Sequence, residues 1–219
     1  MAVVITVDGP AGAGKGTLAR RLARHFGYAH LDTGKLYRAV GRAVLRHGGD
    51  PADPATAERA ARALDAAAIA AGALDDAELA SERVAEAASK VSAVPGVRAA
   101  LLDFQRDFAA RPPGGAAGAV LDGRDAGTVV CPEAPAKLFL DASAEVRAAR
   151  RHKELLARGE ASIYARVLAD IRARDARDRN REVAPLRPAA DACVIDTSDL
   201  DPDAVLARAL AHIAGRTTS

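Results

Sequence analysis

Val3-Val4-Ile5-Thr6-Val7-Asp8-Gly9-Pro10-Ala11-Gly12-Ala13-Gly14-Lys15-Gly16-Thr17 decides the fold of this chain. The β-branched run Val3 to Val7 predicts a strand, and Leu18, Leu22 and Phe26 recur at helical spacing and predict a helix closed by Gly27. Between them, residues 9–17 form a Gly-rich loop. A strand, such a loop and a helix in direct succession are the setting of a phosphate-binding site. Glycines let successive backbone N–H groups turn toward one centre, the helix N-terminus adds partial positive charge, and Lys15 supplies a full charge for the β- and γ-phosphates of a nucleotide. A turn that merely contained glycine would need neither Lys15 nor a helix opening at that point.

Outward from this unit, apolar runs alternate with helical segments, the pattern of a parallel α/β sheet covered on both faces. The further strands are expected at Tyr28 to Leu31, Ala119 to Leu121, Lys137 to Leu140 and Ala192 to Ile195, each near-continuously apolar as when both sheet faces are buried. Helical periodicity links Leu36, Val40 and Val44, and again Val97, Leu101, Phe104 and Phe108, before Pro112-Pro113-Gly114-Gly115 breaks the chain. Residues 51–93 are Ala-rich without a strand signal and read as a helical arm. The expected fold is therefore a single α/β domain with a five-stranded parallel sheet and helices on both faces.

The composition removes several function classes. Lys+Arg 31 against Asp+Glu 29 gives a formal charge of +2, so no global field marks a nucleic-acid binder. The chain has no Trp and few other aromatic residues, which speaks against a base-stacking platform for single strands. No apolar run is long enough to span a membrane and no signal-peptide pattern is present, so a soluble, cytoplasmic protein is expected. Cys131 and Cys193 lie far apart without metal-ligand spacing and read as small core hydrophobes.

The loop places Gly16 where a Mg²⁺-binding hydroxyl usually stands, with Thr17 one position later, and this GKGT form resembles nucleoside monophosphate kinases of the P-loop class. No NKxD segment is present to read guanine. Three further blocks sharpen the likeness: Asp32-Thr33-Gly34-Lys35-Leu36-Tyr37-Arg38, Asp122-Gly123-Arg124-Asp125-Ala126-Gly127-Thr128-Val129-Val130, and Arg174-Asp175-Ala176-Arg177-Asp178-Arg179-Asn180-Arg181. Together with the loop, in this order, they resemble bacterial-type cytidylate kinases over nearly the whole chain.

What the resemblance implies is ATP-dependent phosphorylation of CMP or dCMP with Mg²⁺, by a monomer that takes small-molecule substrates only. It assigns the loop residues Gly9 to Thr17 to ATP. It gives Lys15, Arg124, Arg174 and Arg181 to catalysis, and Thr33, Tyr37, Arg38, Ser89, Arg98, Arg124, Asp125, Arg174, Asp178 and Arg181 to the acceptor. Asp125 would take the cytosine amine and Asp178 the sugar hydroxyl. Asp122 is the candidate to hold Mg²⁺ through water, with Thr17 as a second candidate; Asp8 also lies near the loop, and the sequence does not separate it from Asp122. An acceptor-binding arm is expected over about 33–110 and a lid over about 150–165, with Arg147, Arg150 and Arg151 at a basic helix end and hinge freedom at Gly159. The larger bacterial members carry a small three-stranded sheet in the arm; Asp65 to Glu82 is shortened here, so that sheet is expected to be reduced or missing.

The chemistry agrees with the residue inventory. The second pKa of an acceptor phosphate is about 6, so its attacking oxygen is already ionised and needs no base. Arginines and Mg²⁺ then do most of the work by joining two polyanions in line. Arg174, Arg177, Asp178 and Arg181 fall on one helical face, where Arg177 and Arg181 would repel unless an anion sat between them. A solvent-exposed helix laced with i,i+4 ion pairs is the plain alternative for that stretch. Other P-loop small-molecule kinases, of adenylate or shikimate type, and a non-catalytic nucleotide-dependent binding module are the competing functions.

Overall fold

β1 (Val3–Asp8) lies at the centre of the sheet, paired in parallel with β3 (Gly118–Gly123) from Val3↔Gly118 to Asp8↔Gly123, and with β4 (Ala136–Asp141) on its other side. A computed structural model of the chain describes residues 2–64, 69, 74 and 76–216. β2 (Ala29–Asp32) and β5 (Cys193–Asp196) are the edges, giving the all-parallel order β2-β3-β1-β4-β5. All five expected strands are present, shifted by a residue or two at their ends. Alternation across the pleat divides β3 between two cores, with Ala119 and Leu121 in one and Val120 in the other. β5 departs from the expectation of two covered faces: as an edge strand it leaves Val194 58% exposed.

One core packs α1 (Lys15–Phe26) and α8 (Pro202–Ala214) against the sheet through Leu18, Leu22, Val205 and Ile213. Gly14 (φ 91°) opens α1, and Gly27 (φ 67°) ends it in the left-handed conformation. The other core holds α2 (Thr33–Arg46), α3 (Pro54–Arg62), α4 (Glu82–Val91) and α5 (Pro95–Ala110). The predicted stripe Leu36, Val40 and Val44 is fully buried there, with Val97 and Leu101, while Phe104 and Phe108 pack at its margin. α2 and α4 cross closely at Gly41, where a Cβ would stand 2.9 Å from the Ala88 amide nitrogen. This crossing brings Ala88 of α4 to the cavity that Asp122 and Gly123 line at the end of β3. Asp53 and Ser81 cap α3 and α4 by accepting from Thr56 N–H and Val84 N–H.

α6 (Ala144–Ala157) and α7 (Tyr164–Asn180) form a hairpin with its own small core of Ala148, Leu155, Val167 and Ile171. Gly159, at φ 74°, lies in the turn between them. The expectation about a small sheet in 65–82 falls largely outside the described residues. Among those described, Ala77–Ala80 is a 3-10 turn and none is in a strand. Cys131 and Cys193 are free and half-buried, each packed at the margin of one of the two cores: Cys193 on the edge strand, and Cys131 after the turn that follows β3.

The chain leaves β1 toward β2 and β3 on one side, then crosses to β4 and β5 on the other. The strand order therefore reverses between β1 and β4, which puts the topological switch point at the carboxyl end of β1, where the Gly-rich loop starts; open α/β sheets bind their ligands at such a point.

Candidate active site

At the end of β1 the backbone turns sharply at Gly9 (φ 143°), where a Cβ would collide with the Leu140 carbonyl oxygen at 2.0 Å. The loop that follows wraps the start of α1. Lys15 folds back across it, and its Nζ donates to the Pro10 carbonyl at 2.7 Å. It is 7% exposed. Burial, assisted by the nearby Arg124 charge, lowers the Lys15 ammonium to about 7. A cation held this way gains from an anion placed in the loop.

Arg147, expected at the basic end of a lid, is instead 2% exposed beneath the loop. Its Nη1 donates to the Ala11 carbonyl at 3.1 Å, its Nε to Ala142 O at 2.8 Å, and its two Nη atoms to Asp175 on α7. It supports the loop from behind, and it is Arg150 and Arg151 that line open space. Arg150 reaches Thr197, whose Oγ1 donates to the Ala13 carbonyl at 3.2 Å. These two, with Gly14, Thr17, Leu200 and Val205, line a separate cavity on the outer side of the loop. Arg151 pairs with Glu82 at the start of α4.

A cavity of about 310 Å³ opens from the loop onto the ends of β2 and β3. One side is acidic. Asp32 and Asp122 both line it, and burial together with the Asp122 charge raises the Asp32 carboxyl. Asp122 Oδ1 meets His30 Nε2 at 2.6 Å, and the Thr33 hydroxyl donates to the Asp122 carbonyl at 2.9 Å. Its Oδ2 lies 3.7 Å from where a Cβ on Gly16 would stand. Asp8 is turned elsewhere: both of its carboxylate oxygens are occupied by the Ala126 and Gly127 N–H groups, at 2.8 and 2.7 Å. Burial nevertheless lifts its carboxyl to about 6. Of the two aspartates the sequence left unseparated, only Asp122 faces the cavity.

The opposite side is basic. Arg38, Arg98, Arg124, Arg174 and Arg181 line it with Tyr37, Thr33, Asp125 and Asp178. Arg98 forms a buried ion pair with Asp125 and stacks over the Tyr37 ring at 5.5 Å from its centroid. Arg181 Nη2 lies 3.7 Å from Asp125 Oδ1 and is buried without a hydrogen bond. Arg124 Nε donates to Asp178 Oδ2 at 2.9 Å. Burial raises the Asp178 carboxyl, but Arg124 and Arg174 outweigh it and hold the group below its usual value. Burial, then repulsion from Arg124, lowers Arg174 to about 10, and its Nε is buried with no partner. Buried donors left unpaired in a cavity are what an absent anion would satisfy.

Ser89 does not line the cavity at the loop: it is buried on α4 and accepts from Arg177 Nε at 3.2 Å, facing an adjoining cavity between α4, α6 and α7. Nor do Arg177 and Arg181 form an i,i+4 pair. α7 stops at Asn180, Arg181 takes an extended backbone (ψ 141°), and its Nε donates to the Ala184 carbonyl at 2.5 Å. The sequence does not single out Asp32 as a site residue, nor His30 or Thr197. Asp32 could have been found, because an acid just before a predicted helix start at the carboxyl end of a strand is a cavity position in this fold class.

The family described as cytidylate kinase matches residues 5–215. The chain belongs to the cytidylate kinase family. A cytidylate kinase from Paramagnetospirillum magneticum is 61% identical over 216 residues, 99% of this chain and 100% of the relative. Another from Rhodospirillum rubrum is 56% identical over 98% of this chain and 99% of its own. A solved structure of an uncharacterized protein from Eubacterium ventriosum shares the fold at a TM-score of 0.55 with 14% identity, covering 98% of this chain and 99% of that one. In this chain acidic and basic residues of one cavity meet the phosphate loop, and no helix among the described residues is long and apolar enough to cross a membrane.

Proposed function

We infer that the protein transfers the γ-phosphoryl group of ATP to CMP or dCMP, giving CDP or dCDP and ADP. One observation carries this reading: a single cavity joins Lys15 and the unpaired Arg174 and Arg181 donors to the Asp125–Arg98 pair. Phosphate chemistry and a base-reading edge thus lie within one nucleotide's reach.

In this reading ATP lies along residues 9–17, and the acceptor phosphate meets Arg124, Arg174 and Arg181. Its attacking oxygen is ionised near neutral pH, so the arginines bring the two polyanions together and no side chain removes a proton. Lys15 stabilises charge moving between the β- and γ-phosphates. Asp178, already oriented by Arg124, accepts from a sugar hydroxyl; Thr33, Tyr37 and Arg38 hold the ribose and phosphate. Asp125 accepts from the cytosine amine while Arg98 donates to N3 or O2.

The acidic wall fits Mg²⁺. Two buried carboxylates lie on it, the Asp122 charge adds to burial in raising the Asp32 carboxyl, and no cluster of three ligating side chains occurs among the described residues. This suits an ion that keeps several waters and is held by one or two carboxylates and by phosphate. Asp122 and Asp32 would hold it, and it would supply charge neutralisation for the phosphates of ATP. Closure of the α6–α7 hairpin over ATP and of the α2–α5 arm over the acceptor would exclude water and suppress hydrolysis.

The test is ATP consumption measured against CMP, dCMP, UMP, AMP and shikimate. Turnover with CMP and dCMP well above the others is expected. Preference for shikimate would make a buried carboxylate such as Asp32 a base for an alcohol, and preference for AMP would remove Asp125 from base selection.

A further inference from the structure

Asp8 is the last residue of β1, next to the phosphate loop, yet it does not line the cavity. It is 4% exposed, and its two oxygens each accept one backbone N–H, from Ala126 at 2.8 Å and Gly127 at 2.7 Å. Those are the two amides that immediately follow Asp125. The Ala126 N–H belongs to the peptide plane that the Asp125 ψ angle of 21° orients. On the other side of that plane, the Asp125 carbonyl accepts from Val129 N–H at 2.9 Å and from Val130 N–H at 3.2 Å. Held at both ends, this peptide cannot rotate, and the Asp125 side chain is left facing Arg98 and Arg181. The fit is tight: a Cβ on Gly127 would come within 2.7 Å of Thr6 Oγ1 and 3.3 Å of Asp8 Oδ2.

We propose that Asp8 is a positioning residue for base selection: by gripping the Ala126 and Gly127 amides it aims the Asp125 carboxylate, and it ties that aim to the strand that ends in the phosphate loop. The proposal rests on the reading of Asp125 as the group that accepts from cytosine. A carboxylate can accept at both oxygens, whereas an asparagine in its place offers one acceptor and sets its own N–H₂ against the second amide. That donor is then buried and unpaired, and relief requires the peptide to turn. Asp125 would turn with it.

The experiment compares kcat/KM for CMP and UMP, with KM for ATP, in the wild type, Asp8→Asn, Asp125→Asn, the double variant and Gly127→Ala. Both acceptors carry the same phosphate, so their ratio reads the base alone. Asp8→Asn is expected to narrow the CMP/UMP ratio by about tenfold, through KM for CMP, while KM for ATP stays within about twofold. The double variant should be no less selective than Asp125→Asn alone, because both changes act at one group. Gly127→Ala displaces the same amide without altering the carboxylate, so it gives the same split if Asp8→Asn does not fold. A narrowed ratio in Asp125→Asn with a wild-type ratio in Asp8→Asn or Gly127→Ala would overturn the role of Asp8 and leave Asp125 standing. Equal loss of rate on both acceptors would reduce Asp8 to structural support. An unchanged ratio in Asp125→Asn would remove the base-pocket reading, and this proposal with it.

Discussion

Arg147 and Asp175 form a bidentate pair beneath the phosphate loop, with Nη1 to Oδ1 at 3.0 Å and Nη2 to Oδ2 at 2.5 Å. The same guanidinium holds the Ala11 and Ala142 carbonyls, so one side chain joins the loop, α6 and α7. Truncating one member of a buried pair leaves the other charge without compensation, at a cost of about 3–5 kcal/mol. Arg147→Met is therefore expected to lose about that much in urea unfolding, and Arg147→Met with Asp175→Leu to recover a large part of it. A loss below about 1 kcal/mol in the single variant would show that the pair does not support the loop.

The distance between sequence and structure is clearest at this residue. The strand, loop and helix around Lys15 are written in adjacent residues, and so are the Leu36/Val40/Val44 stripe and the Gly27 stop; each follows from local sterics and periodicity. Arg147 reads as one more base in Arg147-Ala148-Ala149-Arg150-Arg151, because its partners at Ala11 and Asp175 are distant in sequence. Arg181 is hidden from the sequence for a related reason. Helical spacing runs on past Asn180 in the sequence, whereas the chain turns back there and Leu186 N–H donates to the Asp178 carbonyl at 2.8 Å. The run Ala192 to Ile195 has the apolar content of a central strand, and only the sheet order makes it an edge. Asp8 shows a third limit: an aspartate beside a phosphate loop reads as a metal residue until the backbone amides it serves are seen.

Lys15 is desolvated and lies near Arg124, and its ammonium is lowered to about 7. A lysine whose folded pKa falls below its unfolded value destabilises the fold at every pH where the unfolded group is still charged. Lys15→Met should therefore leave the nucleotide-free melting temperature unchanged or raised. The same variant should lower kcat by about 10²–10³-fold, since the charge lost is the one aimed at the transferring group. Thermal melts and steady-state assays on one preparation check both. Near wild-type turnover would take the loop out of the mechanism.

Burial raises the Asp8 carboxyl from 3.8 to about 6, against the pull of its two amide partners. A carboxyl with a raised folded pKa binds its proton more tightly in the native state, so the stability it contributes falls as pH rises from about 4 to about 6. Between pH 4.5 and 7 that amounts to about 2 kcal/mol. Asp8→Asn cannot titrate. The wild type should accordingly lose about 2 kcal/mol relative to Asp8→Asn across that interval, as read from urea midpoints at several pH values. Parallel pH profiles would show that Asp8 is ionised throughout and that its amide bonds offset its burial.

Asp125 carries the sharpest test of specificity because its carboxylate is already committed to arginine donors: an ion pair with Arg98, and Arg181 at 3.7 Å. A carboxylate only accepts, so it can also take the N4 amine of cytosine. Arg98 only donates, and suits N3 or O2. Uracil reverses the edge, presenting O4 to the carboxylate and an N3 donor to the arginine. Each mismatch leaves a buried group unpaired, at a cost of about 1–3 kcal/mol. An amide at position 125 can rotate to offer N–H₂ to O4 or its carbonyl to N4, so it no longer distinguishes the two bases. It also withdraws the charge that holds Arg98 and Arg181, so kcat/KM for CMP should fall as well. Asp125→Asn is therefore expected to narrow the CMP/UMP ratio of kcat/KM by at least about tenfold, or ~1.4 kcal/mol of discrimination. Competition between the two acceptors in a single reaction, with CDP and UDP quantified together, gives that ratio directly. If the variant lost rate but kept the wild-type ratio, Asp125 would serve only to hold the two arginines, and selection of the base would have to come from elsewhere in the cavity.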